Sequence, residues 1–172
     1  AANVYAITVT DATVAASALN TLNGKTAGTI TATAINTLTG SASDVNTALT
    51  ASGINGLGGE AITLDDTTLA VATLNTLDGN TSGAVNAGTV NTLTGGAAAM
   101  NTAYASNGIT GLGDEAITLD DTTLAVATLN TLNGNTTGVV NAGTVNTLTG
   151  AAAAMNTAYT AVSYTHLTLP TI

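Results

Sequence analysis

The sequence predicts an α/β fold, a right-handed solenoid of 55-residue repeats built from short parallel strands and short helices. Three observations carry this reading. The segment AITLDDTTLAVATLN at Ala61–Asn75 recurs unchanged at Ala116–Asn130, and a diverged form, AITVTDATVAASALN, begins the same distance upstream, at Ala6. Within each repeat the pattern apolar-Asn-Thr-apolar appears three times. Between these patterns lie short apolar stretches, AITL at 61–64 and AVNA at 84–87, with the alternation of half-buried strands. The repeats divide the chain into units 6–60, 61–115 and 116–161, a single array over 1–161. No unit can bury its apolar stripe alone, so each is expected to stack on its neighbours.

The recurring pattern reads as helix. Apolar residues at i and i+3 share a helix face, whereas in a strand they point to opposite sides. LNTL, INTL and VNTA in the first unit (19–22, 35–38 and 45–48) therefore predict three short helices, matched by LNTL, VNTL and MNTA in the other two. Asp66 is placed to cap the first helix of the second unit, and Gly79 to stop it. Its buried stripe would be Ala70, Val71, Leu74 and Leu77. Val90 and Leu93 carry the second helix, closed by Gly95. In the first unit Ser41-Ala42-Ser43-Asp44 resembles a capping box and opens a third helix that buries Val45, Ala48 and Leu49. Gly53 would end it, with Ile54 making the apolar contact of a Schellman close. Ile62 and Leu64 fall on one face of the AITL strand. Repeated strands with helical returns favour a parallel, right-handed arrangement of roughly two coils per unit. The rival is an all-β solenoid, suggested by the Thr, Asn, Gly and Ala content and by the modest helix propensity of Asn and Thr.

Composition excludes several activities. Charged residues make up 6% of the chain, and the formal net charge is −9, with Lys25 and His166 as the only basic residues. A nucleic-acid partner needs Lys and Arg to neutralise phosphate, so none is expected. Anionic membrane surfaces are disfavoured for the same reason. Polar residues interrupt every apolar run, so no segment reaches the ~20 residues of a membrane span. Cysteine is absent, which removes disulfide and thiol chemistry. The chain carries no signal peptide and does not begin with Met, and reads as a piece of something longer.

The acidic residues are the remaining chemistry. Asp65, Asp66, Asp120, Asp121 and Glu115, with Glu60 and Asp114 nearby, could gather oxygens around calcium. The competing role is helix capping. Asp11 matches Asp66 and Asp121, while Thr10 replaces the neighbouring Asp in the first unit, so only the cap-compatible Asp persists. Neither an EF-hand nor a glycine-aspartate nonapeptide loop is present. No cofactor is expected, and calcium is the one these residues would admit. Asn20, Asn75 and Asn130 recur at one position, where an amide can bond backbone between coils. Thr29 and Thr31 become Ala84 and Asn86, so no flat threonine array of the ice-binding kind is kept. Serines lack a basic partner, and the carboxylates repeat like structure, so no enzymatic activity is expected. Asn80-Thr81-Ser82 and Asn135-Thr136-Thr137 fit the glycosylation sequon, although Lys25 holds that place in the first unit.

Two resemblances follow from these residues. ITLDDTTLAVATLNTLDGNTSGAVNAGTVNTLTG, continued after Gly96 by AAAMNTAYASNGITGLGDEA, resembles tandem repeats of giant cell-surface or secreted proteins of marine bacteria, notably cyanobacteria. The likeness covers 6–161. It implies an extracellular or cell-surface segment with a structural, adhesive or motility-related role, sometimes with calcium. Expected partners are neighbouring repeats and a cell surface or polysaccharide. More narrowly, LNTLDG at 74–79 is similar to ELN-x-LDG repeats of phage tail fibres, with Thr73 in place of Glu. That likeness implies a fibre-shaft segment instead.

The end of the chain departs from the repeat. Beyond Ala161 the register breaks into VSYTHLTLPTI, which holds the only His and the only Pro. This stretch resembles a translated sequencing adapter. Residues 162–172 are therefore expected to be a non-native tail on a metagenomic fragment, and His166 is set aside as a catalytic candidate.

Overall fold

The computed structural model describes residues 3–163 and 167–169. The fold is α/β, with parallel sheets of short strands alternating with helices in a solenoid-like repeat. In the first repeat the elements are β1 (Ile7–Thr8), β2 (Thr13–Ala15), α1 (Ala16–Asn23), β3 (Ile30–Thr31), β4 (Thr37–Gly40), α2 (Ala42–Thr50) and β5 (Ile54–Asn55). The second has β6 (Ala61–Leu64), β7 (Thr68–Ala70), α3 (Val71–Asn80), β8 (Val85–Asn86), β9 (Thr92–Gly95), α4 (Ala97–Ala105) and β10 (Ile109–Thr110). The third has β11 (Ala116–Leu119), β12 (Thr123–Ala125), α5 (Val126–Asn135), β13 (Val140–Asn141), β14 (Thr147–Thr149) and α6 (Ala152–Ser163), followed by β15 (Leu167–Thr168).

The residues form two compact units. One holds the chain up to Asp66 with Thr76–Thr89 and Gly108–Thr110; the other holds Thr67–Asn75, Val90–Asn107 and the chain from Gly111 on. The first unit contains the sheets β1-β3-β5 and β10-β8-β6-β4-β2. Its core includes Leu19, Ile30, Leu38, Val45 and Ile62. The second contains β15-β13-β11-β9-β7 and β12-β14, around Leu93, Met100, Ile117, Leu119 and Leu129. All the pairings among the described residues are parallel. The helices α1 to α6 set the all-β alternative aside.

The strands stack at a shorter period than the sequence repeat. Thr13 pairs with Thr37, Thr37 with Ala61, and Thr68 with Thr92, a constant step much shorter than the distance from Ala61 to Ala116. A rung is two strands and a helix. The repeat is not a whole number of such steps, so each of the first two repeats holds two rungs and one further strand, β5 or β10. The helices advance accordingly. α1 and α2 follow β2 and β4 of one sheet, α3 and α4 follow β7 and β9 of another, and α5 and α6 follow β12 and β14.

There are two helices per repeat, not three. INTL (35–38) and both VNTL segments (90–93 and 145–148) lead into the strands β4, β9 and β14. A bulge explains why they imitate a helix. The N–H groups of Asn91 and Thr92 both donate to Thr67 O, at 2.8 and 3.1 Å. Asn36 and Thr37 do the same to Ala12 O, and Asn146 and Thr147 to Thr122 O. Two residues opposite one shift the alternation by a step. Val90 and Leu93 are therefore both buried, at i and i+3, without a helical turn. The MNTA pattern stays helical because alanines precede it, whereas Gly88-Thr89 and Thr94-Gly95 hem in VNTL.

Other helix boundaries also differ from expectation. Strand β7 separates Asp66 from α3, so Asp66 cannot cap it; Ala70 lies exposed in that strand, while Val71, Leu74 and Leu77 are buried as expected. Helix α3 runs through Gly79 to Asn80. Ser41 is the N-cap of α2: its Oγ accepts from Asp44 N at 3.2 Å and donates to Asp44 Oδ2 at 3.1 Å. Val45 and Ala48 are buried there and Leu49 is half-buried. That helix closes by tightening, with Ala51 N donating to Ala48 O, and Gly53 is not left-handed, so there is no Schellman close. Of the terminal stretch, Val162 and Ser163 continue α6 and Leu167–Thr168 pairs with Val140–Asn141; His166 and Pro170 lie outside the described residues.

Glycine is required where a strand turns into a helix. Gly40, Gly95 and Gly150 have φ of 126°, 132° and 146°, a region closed to side chains. A Cβ at Gly95 would also meet Val71 Cγ1 at 3.0 Å, whereas one at Gly79 meets nothing within 4 Å. Gly95→Ala should therefore destabilise the protein by about 1–3 kcal/mol. Gly79→Ala, inside an exposed stretch of helix, should stabilise it by about 0.5–1 kcal/mol. Chemical denaturation of the two variants measures both.

Candidate functional site

The recurring polar side chains point at backbone one rung away. Asn20 Nδ2 donates to Asp44 O at 2.9 Å, Asn75 Nδ2 to Ala99 O at 3.0 Å and Asn130 Nδ2 to Ala154 O at 2.9 Å. Each bond joins the first helix of a repeat to the second, at the same sequence separation in all three. The expected asparagine ladder is therefore present. A second amide set extends it: Asn80 donates to Asn46 Oδ1 and Asn135 to Asn101 Oδ1, at 2.9 and 3.0 Å. Both sequon asparagines are thus engaged within the fold.

The aspartates divide by position. Asp66 Oδ2 accepts from Ala42 N at 2.7 Å, and Asp121 Oδ2 from Ala97 N at 2.7 Å. Ala42 and Ala97 are the first residues of α2 and α4, which precede these aspartates in the chain. The carboxylates cap helix N-termini, where an anion complements both the free N–H groups and the helix dipole. They cap the preceding rung's helix, not the helix that follows them in sequence. At α4 the local N-cap is Gly96, which has no side chain, so Asp121 supplies what Ser41 contributes at α2.

Asp65 and Asp120 are held by their backbone, Asp65 N donating to Gly40 O and Asp120 N to Gly95 O. Asp120 also borders a recess of about 290 Å³ lined by Ala70, Val71, Thr94, Gly95 and Ala99. Glu115 is buried, as is Glu60. Glu60 Oε2 accepts from Gly58 N at 2.7 Å; Glu115 accepts from Gly113 N at 3.1 and 2.9 Å and from Tyr104 Oη–H at 2.8 Å. These carboxylates fold the glycine-rich link back on itself. Burial, first, and then the Glu115 carboxylate hold the Tyr104 phenol protonated well above its ordinary range.

The calcium candidates Asp65, Asp66, Asp120, Asp121 and Glu115 are thus distributed over caps, strand ends and a buried link. Among the described residues no group of three or more His, Asp or Glu could hold a metal ion. Three threonines that carry no signal as single residues also bridge rungs. Thr81 Oγ1 donates to Glu60 O and Thr136 Oγ1 to Glu115 O, at 2.7 and 2.9 Å, and Thr26 does the same to Tyr5 O. Their Oγ1 atoms also accept from Gly83, Gly138 and Gly28 N. The available signal is the recurrent T-x-G at 26–28, 81–83 and 136–138.

Comparison of the chain with protein-family models, curated proteins and solved structures finds no match.

The two kinds of aspartate should respond differently to truncation. Asp121→Ala should cost about 1 kcal/mol by uncapping α4, while Asp120→Ala should stay within about 0.5 kcal/mol of the parent. The contrast is read from urea midpoints. Tyr104 sets an alkaline limit. A phenol whose pKa is raised by folding contributes stability that is complete below the unfolded value of about 10 and is lost as pH rises above it. Stability should therefore fall above about pH 10, and Tyr104→Phe should flatten that decline in a pH series of melting curves.

Proposed function

We propose that the chain is a non-catalytic scaffold segment of a large bacterial cell-surface or secreted protein, acting as a spacer or adhesive stalk. One observation supports the reading above the others. The recurrent Asn, Asp and Thr side chains are engaged in bonds that join rungs, at matching positions in successive repeats. Polar groups used this way fix the stack and are not free to act on a substrate. The scarcity of charge and the single lysine also suit exposure to trypsin-like proteases. The resemblance to surface repeats of marine bacteria supplies the location. In this reading the partners are neighbouring repeats and, at the outer surface, a polysaccharide or another cell.

Antibodies raised against the chain test the location. They should label intact cells of the source community; labelling only after permeabilisation would exclude a surface role. Calcium tests the passive nature of the segment. The melting midpoint should be the same in millimolar calcium and in chelator, because a ligand that binds only the folded state raises it. A clear rise with calcium would replace the scaffold by a calcium-dependent module.

A further inference from the structure

Four Asn-Gly pairs occur in the sequence, at 23–24, 55–56, 107–108 and 133–134. At such a pair the chain can react with itself. The glycine nitrogen attacks the side-chain amide of the preceding asparagine, and the missing Cβ leaves room for the ring that forms.

The fold treats the four pairs differently. Asn23 ends α1 and is half-buried, and Gly24 N donates to Asn20 O at 3.0 Å. Asn133 and Gly134 lie inside α5. A nitrogen held in a helical turn reaches the neighbouring side chain only after that turn opens. At the third pair Gly108 is engaged with a partner.

No such restraint acts on Asn55–Gly56. Asn55 ends β5, at the edge of the β1-β3-β5 sheet, and Gly56 follows with φ of 92°. Both residues are exposed. Among the described residues neither the Asn55 side chain nor Gly56 N has a hydrogen-bond partner. The Asn55 carbonyl does have one, accepting from Ala32 N at 2.8 Å. That bond polarises the Asn55–Gly56 peptide and makes its N–H more acidic. Glycine is also fixed at this position, because a Cβ there would lie 2.5 Å from Thr33 Cγ2. The second repeat keeps the glycine, as Gly111 with φ of 83°, but places Thr110 before it.

We propose that Asn55 is a site of spontaneous deamidation, a main-chain modification at the joint between the first two repeats. Gly56 N, having given its proton to hydroxide, bonds to Asn55 Cγ. The Cγ–Nδ2 bond breaks and ammonia leaves, which closes a succinimide ring. Water then opens the ring. Addition at Cγ gives aspartate, and addition at the main-chain carbonyl gives isoaspartate, with the chain running through the former side chain. The net reaction consumes one water, releases one ammonia and involves no oxidant. Both products add a negative charge. Isoaspartate also inserts a methylene into the main chain, between β5 and the glycine link that Glu60 holds through Gly58 N. The inference rests on local geometry, independently of the role proposed above, and its failure would leave the surface-labelling result unaffected.

The full chain, incubated folded at mildly alkaline pH, then unfolded, digested and mapped by mass spectrometry, tests it. A protease that cuts before aspartate but not before isoaspartate distinguishes the products. Asn55 should convert first, about tenfold faster than Asn23 or Asn133, whose helical turns must open. In denaturant that preference should vanish. Asn55→Thr, which installs the residue of the second repeat, should fold like the parent by circular dichroism and lose the early release of ammonia. Conversion of Asn107 ahead of Asn55, a preference that persists in denaturant, or early ammonia release that survives Asn55→Thr would each overturn the proposal.

Discussion

The rung-to-rung contact is the constraint on which the rest of the fold depends. The strands are too short to carry more than a few ladder bonds each, and helices of two or three turns are marginal alone. Stability must come from stacking, where each rung buries the apolar side of the next. The parallel ladders fix the spacing, and side chains reinforce it from the helix side through Asn75 and Asn130 and from the strand side through Thr81 and Thr136. Each of these donors reaches a carbonyl of the stacked backbone. Backbone acceptors near the core need such partners, because an unpaired buried polar group is costly.

This constraint accounts for the composition. Successive rungs approach closely, so small residues are favoured. A Cβ at Gly83 would lie 2.7 Å from Ala61 N, and one at Gly138 would lie 2.6 Å from Asp114 O. Charged side chains would need partners within the stack, and with one lysine the chain has almost none to offer. Four of its carboxylates are held by backbone N–H groups: Asp66 and Asp121 by helix N-termini, Glu60 and Glu115 by a glycine link. Asparagine and threonine provide neutral donors at little volume. The recurring Asn, Asp and Thr side chains are thereby engaged in holding one rung to the next.

Much of this is legible in the sequence, and what is not has a physical cause. The 55-residue repeat, the parallel α/β class, the helices at LNTL and MNTA and the strands at AITL and AVNA are all as the pattern implies. Asn20, Asn75 and Asn130 are readable as inter-coil bonds because they recur where backbone lies alongside. The VNTL segments mislead because burial at i and i+3 can arise from a bulged corner as well as from a helix. Asp66 and Asp121 are recognisable as caps, but the sequence points to the wrong helix. Proximity along the chain favours the helix downstream, while the stack brings the earlier one to the carboxylate. The shorter stacking period leaves little trace in identity beyond Thr-Leu pairs such as 68–69 and 92–93, because one sheet takes TVA, TLTG, AITL, VN and IT in succession.

That mismatch between the two periods has a consequence for specificity. If every rung were alike, a slip by one rung would preserve all pairings, and register would be poorly defined. Here a one-rung slip would bring AITL of one repeat against strands that lack its partners, and would carry Asp121 away from the N-terminus of α4. Only a displacement by one whole repeat restores every cap, amide pair and strand match together, as the equivalence of the β4–β6 and β9–β11 junctions demonstrates. The extra strand, β5 or β10, is therefore more than surplus length. It makes neighbouring rungs distinguishable, so that a stack of similar pieces has one favoured alignment. Distinct local choices that agree on a single global arrangement are what separate a defined fold from a set of near-equal alternatives.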